Sequence, residues 1–192
     1  AAYRSNRIFE DVSLTVEAGQ IVALTGRNGA GKTTLARILG GLKKTRAGSI
    51  RVHGRTCSYR DLRRRVWFGP NDVKAEFFTP SVKEEAMLLV KPDETHKNRA
   101  RGILHDLDLW ELREQHPATL SGGQKQRLAI ACGLMSDRAV LVFDEPTSGL
   151  DALNMEVVAG ALETAAREGR AIIVVTHDNE FIGQCCTHIF EL

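Results

Sequence analysis

The stretch that decides the fold reads Ile21-Val22-Ala23-Leu24-Thr25-Gly26-Arg27-Asn28-Gly29-Ala30-Gly31-Lys32-Thr33-Thr34. Its first five residues are apolar or β-branched without alternation, the mark of a strand buried on both faces of a parallel sheet. Gly26, Gly29 and Gly31 follow, and from Lys32 to residue 39 the pattern turns helical until Gly40-Gly41 stops it. Such a strand, turn and helix bring several backbone N–H groups within reach of one anion, which side chains at the glycines would block. The helix adds the positive end of its dipole. Lys32 is a point charge for β- and γ-phosphates, the Thr33 hydroxyl is placed for Mg²⁺, and Thr34 reaches an α-phosphate. Nucleotide binding is expected at Asn28, Gly29, Ala30, Gly31, Lys32, Thr33 and Thr34. At average composition the spacing arises by chance in about one chain of this length in a hundred, so the flanking strand and helix matter to the reading.

Two further stretches extend it. Ala139-Val140-Leu141-Val142-Phe143 leads straight into Asp144-Glu145-Pro146. Adjacent acids after a buried strand would be costly inside a core, whereas at the carboxyl end of a parallel strand they face the ligand crevice. Asp144 suits the Mg²⁺ shell through water, and Glu145 suits the base that polarises an attacking water. Farther back, Leu120-Ser121-Gly122-Gly123-Gln124 carries a capping box in Ser121 and Gln124, so a helix begins there with a bare, anion-seeking tip. One nucleotide rarely needs two such tips from one chain. A second tip aimed at another molecule's γ-phosphate predicts a face-to-face pair.

The 192 residues fit one domain with a small insertion. Residues 12–16 alternate like a strand and turn at 18–20 into 21–25; short strands are also expected at 49–53, 66–68, 139–143 and 171–175. Residues 79–117 read as helical, with a capping box of Ser81 and Glu84 before Ala86-Met87-Leu88-Leu89 and a second helix over 97–107. Helices are expected after Ser121 and over 152–167, where Leu153, Val157, Ala161 and Ala165 share one face. Strands alternating with helices imply a mainly parallel sheet covered on both sides. Net charge is only +2, so neither nucleic acid nor an acidic membrane is indicated as a partner, and the basic cluster 60–65 reads as solvated surface. Cysteines 57, 132, 185 and 186 lack metal spacing and read as reduced thiols. Apolar runs of about five residues are too short to span a bilayer. The chain opens on Ala1-Ala2 without methionine, which suggests processing or excision, and any service to a membrane is expected to pass through partners.

Taken in order, residues 26–34, 120–124, 140–145, Ser148-Gly149-Leu150-Asp151 and His177 resemble the ATPase domain of ABC transporters. The resemblance implies an α/β P-loop NTPase with a mainly parallel core sheet, an N-terminal antiparallel β part and an inserted helical subdomain. Residues 1–78 and 118–192 would form the core, and 79–117 the subdomain. It also implies ATP and Mg²⁺ as ligands and a head-to-tail dimer. Each ATP would lie between one loop 26–34 and the partner's Ser121, Gly122, Gly123 and Gln124. Asp151 would link the two sites, His177 would contact the γ-phosphate, and Tyr3 would stack on adenine. The expected partners are a second ABC ATPase domain, identical or not, and a transmembrane transporter subunit, with no nucleic acid. The location implied is the cytoplasmic face of the membrane.

One family feature is missing. No glutamine occurs between Ile21 and Glu114, where most members place one in the Mg²⁺ shell. Its place falls on Asn71, one methylene shorter, with Glu76 as the alternative. Residues 77–85, Phe-Phe-Thr-Pro-Ser-Val-Lys-Glu-Glu, are similar to cobalt-type and energy-coupling-factor importers of vitamins and metal ions. Those importers often carry two different ATPase domains, and this chain is shorter than most, as one excised half would be. A motor for import is the expected function. A non-transport ABC ATPase and a regulatory half with weak turnover are the alternatives, and Lys32, Glu145 and His177 argue for turnover.

Overall fold

The computed structural model describes residues 12–71 and 77–192 in full, and 2–3 and 6–7 by backbone alone. In chain order, β1 (Ala2–Tyr3) and β2 (Asn6–Arg7) form a small antiparallel ribbon. Then come β3 (Ile21–Thr25), α1 (Lys32–Leu39), the antiparallel hairpin β4 (Ile50–Val52) and β5 (Arg55–Cys57), α2 (Tyr59–Arg65) and β6 (Val66–Gly69). The helical stretch holds α3 (Val82–Ala86), α4 (Glu94–Asp106) and two 3₁₀ turns. It is followed by α5 (Gly122–Met135), β7 (Val140–Asp144), α6 (Ala152–Arg167), β8 (Ala171–Val175), α7 (Asn179–Cys185) and β9 (His188–Glu191).

The central sheet runs β6-β7-β8-β3-β9 with every pairing parallel. Gly69 lies opposite Phe143, Asp144 opposite Val175, and Leu24 opposite Val175. The carboxyl ends of four strands therefore open at one edge, where α/β sheets hold their ligands. β8 is buried along its whole length and β3 along four of its five residues, as expected for strands covered on both faces. One face carries a core of Leu104, Leu128, Leu141, Phe143 and Leu162 with α3 to α6. The other buries Leu35, Val52, Leu62 and Val142 beneath α1, the hairpin and α2. Arg127, buried in α5, donates to the Leu107 carbonyl at 2.9 Å and to Asp108 at 3.3 Å, tying that helix to the end of α4.

Several expectations need correction. Residues 12–17 carry no strand pairing among the described residues, although Val12, Leu14 and Val16 are half-buried on the second core and Ser13 and Thr15 are exposed. Alternation records which side of an extended segment is covered; it does not specify a hydrogen-bonding neighbour. α3 stops at Ala86, leaving Leu88 and Leu89 about half exposed, and of the Ser81–Glu84 box the Ser81 half forms, at 3.4 Å. α4 starts earlier than expected, at Glu94, because Asp93 caps it through the His96 N–H. α6 keeps the expected bounds, and of the expected row Ala161 and Ala165 are buried and Val157 is half-buried, but Leu153 is 74% exposed; Met155, Val158, Ala159 and Leu162 join the buried side. Residues four apart drift by roughly 40° per step around a helix of 3.6 residues per turn, so the row starts outside the covered face at Leu153 and reaches it at Ala161. All four cysteines are free, and burial pushes the Cys132 thiol up to about 12, so it stays protonated and inert. Among the described residues no helix is long and apolar enough to cross a membrane, and no three or more His, Cys, Asp or Glu side chains gather as a metal cluster.

Candidate functional site

The loop after β3 turns through left-handed glycines, with φ of 132° at Gly26, 85° at Gly29 and 106° at Gly31. At Gly26 a Cβ would collide with the Leu192 carbonyl oxygen, so only glycine fits. Gly31 is the N-cap of α1 and offers no side chain, leaving the helix tip bare. The Lys32 side chain folds back under this loop, its ammonium donating to the carbonyls of Gly26 at 2.7 Å and Arg27 at 3.2 Å. Its positive charge is thereby fixed beside the outward-facing N–H groups.

The Thr33 hydroxyl lies 3.2 Å from Asp144 Oδ1 and donates to it. Asp144 ends β7 and is 3% exposed; burial pushes its carboxyl above the usual range, and the Thr33 bond pulls weakly the other way. Two hard oxygens brought together beside a phosphate-type loop match the chemistry of a Mg²⁺ site, which takes oxygen ligands and keeps several waters. Asp144, Thr33 and their surroundings thus fit that ion.

Glu145 follows with φ of 52°, a left-handed conformation that is uncommon outside glycine and costs of order 1–3 kcal/mol. Its N–H donates to the Val175 carbonyl at 2.8 Å, and its own carbonyl accepts from Ser148 N–H at 3.2 Å and Gln126 Nε2 at 3.4 Å. Its carboxylate meets His177, whose Nδ1 lies 2.9 Å from Oε1. That hydrogen bond to Glu145 holds the His177 pKa above its ordinary value. His177 is aimed by its neighbours. Thr176, fully buried, accepts the Asp178 N–H at 3.1 Å, and Asp178 caps α7 through the Glu180 and Phe181 N–H groups.

Ser121 caps α5, accepting the Gln124 N–H at 3.3 Å while Gln124 Oε1 accepts the Ser121 N–H at 2.9 Å. Ser121 and Gly122 are exposed, and nothing lies within 4 Å of where a Gly122 Cβ would be. Among the described residues no hydrogen bond joins 120–124 to the loop of the same chain. Asp151 is exposed and caps α6, accepting from the Asn154 N–H at 2.9 Å and Nδ2 at 2.8 Å. Asn71 lies exposed two residues past β6, at the strand edge that also carries Asp144, and makes no hydrogen bond to a described residue. Glu76 and the side chain of Tyr3 lie outside the described residues.

Two site residues escaped the sequence reading. Gln126, 5% exposed on α5, reaches the Glu145 backbone; a polar side chain on the buried face of a helix was the available signal. Glu85, 4% exposed, gathers Phe78 N–H, Thr79 N–H and the Thr79 hydroxyl on one oxygen at 2.8, 2.9 and 2.9 Å. It thereby fixes the chain where it enters the helical stretch. Beside Glu84 in a run of charges, nothing marked it as buried.

A family model described as ABC transporter matches residues 9–148. A putative ABC transporter ATP-binding protein of Treponema denticola is 42% identical over 187 residues, covering 96% of this chain and 37% of that protein. This chain therefore spans well under half of that relative's length. The energy-coupling factor transporter ATP-binding protein EcfA1 of Thermotoga maritima is 35% identical over 184 residues, covering 94% of this chain and 71% of that one. Among solved structures, one of an ATP binding subunit of an ABC transporter superposes with a TM-score of 0.84 at 26% identity, over 99% of this chain and 81% of its own.

Proposed function

The chain belongs to the ABC transporter family, and on that premise we propose that it is an ATP-hydrolysing motor domain that powers a membrane transporter. The observation that carries the reading is the pairing of Thr33 with Asp144 and of Glu145 with His177 at adjoining strand ends beside the loop of Lys32. ATP binds along 28–34, with backbone N–H groups and the α1 tip on its phosphates and Lys32 supplying charge. Thr33 and Asp144 would hold Mg²⁺, with Asn71 as the amide available to it, and the ion would supply charge neutralisation on the phosphates. Glu145 polarises the attacking water, its backbone set by Gln126 and Val175, and His177 contacts the γ-phosphate. Tyr3 stacks on adenine.

The exposed tip Ser121-Gly122-Gly123-Gln124 is the half-site offered to a second ATPase domain. Asp151, at the neighbouring cap, links the two composite sites. ATP closes such a dimer, and hydrolysis with product release reopens it. Residues 79–117 form the helical subdomain that passes this motion to a transmembrane subunit at the cytoplasmic face. Likeness to EcfA1 and the 77–85 stretch favour import of a vitamin or metal ion.

Glu145→Gln tests the assignment, because the amide keeps the shape and loses the basic oxygen. The variant should bind ATP like wild type, lose at least about 100-fold in turnover, a loss within the usual range for general-base removal, and accumulate as an ATP-bound dimer. Turnover at the wild-type rate would remove Glu145 from the role of base.

A further inference from the structure

Charge is placed very unevenly along this chain. Ten of its 26 basic residues lie within 37–65 against one of its 24 acids, a local +9, so the remaining 163 residues carry −7. The fold gathers much of this stretch into one block made of the loop after α1, the β4–β5 hairpin and α2. The Lys44 ammonium sits 4.6 Å above the Tyr59 ring, with the Arg60 guanidinium 5.7 Å from the same ring. Arg63 Nε donates to the Gly41 carbonyl at 3.1 Å. The inner side buries Val52 and Leu62 on the core; Lys44, Arg46, Arg51, Arg55, Arg60 and Arg64 remain exposed.

No described carboxylate pairs with any of those six. The lone acid, Asp61, is engaged in capping α2: the Ser58 N–H and hydroxyl bind its Oδ2 at 3.0 and 2.7 Å, and those bonds hold its carboxyl below the usual range. Six exposed cations on one block, unpaired by any described carboxylate, favour a polyanion as partner. Single-stranded nucleic acid is held on open aromatic faces, yet the block's phenol ring, Tyr59, has cations over it. An apolar side chain, Leu42, stands half exposed at the margin of the block, where an acyl–headgroup boundary would accept it.

We propose that this block binds the anionic headgroup surface of a phospholipid bilayer. The −7 remainder of the molecule orients the other faces away from the lipid. Contact of this kind holds the domain near the membrane in addition to any protein partner. It is independent of nucleotide, so its success or failure is separate from that of the ATPase reading.

The test is co-sedimentation of the chain with vesicles of 30 mol% (about one-third) phosphatidylglycerol in phosphatidylcholine, against phosphatidylcholine alone, at low salt. Binding should require the anionic lipid and should vanish as salt rises, because exposed charges are screened within about 3 Å at 1 M. Each basic side chain near such a surface contributes about fivefold in affinity. Replacing exposed Arg46, Arg51 and Arg64 by Gln should therefore weaken binding by roughly a hundredfold. The same charge loss at Lys91, Arg138 and Arg167, outside the block, should leave it within about fivefold, the worth of a single side chain. Equal losses from both triple variants, equal binding to neutral vesicles, or displacement from vesicles by a DNA oligonucleotide at equal charge would each overturn the proposal. Circular dichroism of both variants verifies folding, and the proposal stands on the comparison between them.

Discussion

Replacing Glu85 by Ala tests whether one buried carboxylate holds the entry into the helical stretch. Its Oε2 accepts three hydrogen bonds of 2.8, 2.9 and 2.9 Å, two from the successive N–H groups of Phe78 and Thr79 and one from the Thr79 hydroxyl. Hydrogen bonds to charged groups contribute about 1.5–3 kcal/mol each, but the three share one oxygen. Phe78 is 73% exposed, so water can recover part of the loss. The expected cost is therefore about 2–4 kcal/mol, nearer one bond than three. Glu85→Gln, which keeps an acceptor without the charge, should cost about half as much. Urea unfolding measures the global effect, and amide hydrogen exchange at Phe78 and Thr79 reports the local one. These two amides should lose protection in the Ala variant while β3 and β8 keep theirs. A change below about 0.5 kcal/mol, the size of an ordinary surface substitution, with protection at 78 and 79 unaltered, would show that the carboxylate anchors nothing.

Gln126→Leu removes the donor to the Glu145 carbonyl while filling a similar volume. Steady-state assays should show turnover lowered about three- to tenfold, as for one net hydrogen bond, with the KM for ATP changed less than about twofold; unchanged turnover would deny Gln126 a positioning role. For Asp144, burial raises the folded pKa above the ordinary 3.8. The proton's contribution to stability is complete below the unfolded pKa and is lost as pH rises through the folded value. At neutral pH the ionised carboxylate is then a cost in the nucleotide-free chain. Asp144→Asn should melt above wild type at pH 7, with the gap closing as pH falls toward the unfolded value, and should forgo stabilisation by MgATP. A variant that melts lower at pH 7 would contradict this account.

The residues of the candidate nucleotide site were legible because their signals are short and local. Glycines at fixed spacing before Lys32, two acids after five apolar residues, and a capping box before a helix each need only a few neighbours to be recognised. The alternation of 12–16 was equally visible, but it led to a strand that has no ladder among the described residues. Leu153 shows a similar limit: a row drawn at spacing four drifts around the helix, so its first member lies outside the covered side that Ala161 and Ala165 reach. Net charge misled in another way: +2 is an average over a basic block and an acidic remainder, and the sum conceals both.

By itself, the sequence determined the class of fold, the loop at 26–34, the paired acids Asp144 and Glu145, and the tip at 120–124, all written in contiguous residues. Only the tertiary structure decided that Asp144 meets Thr33, that Glu145 adopts a left-handed conformation and meets His177, and that Gln126 and Glu85 are buried supports. The meeting of Thr33 and Asp144 depends on the strand order β6-β7-β8-β3-β9, which joins residues more than a hundred positions apart. Such pairings follow from which faces bury together, a property of the whole packed chain and of no single stretch.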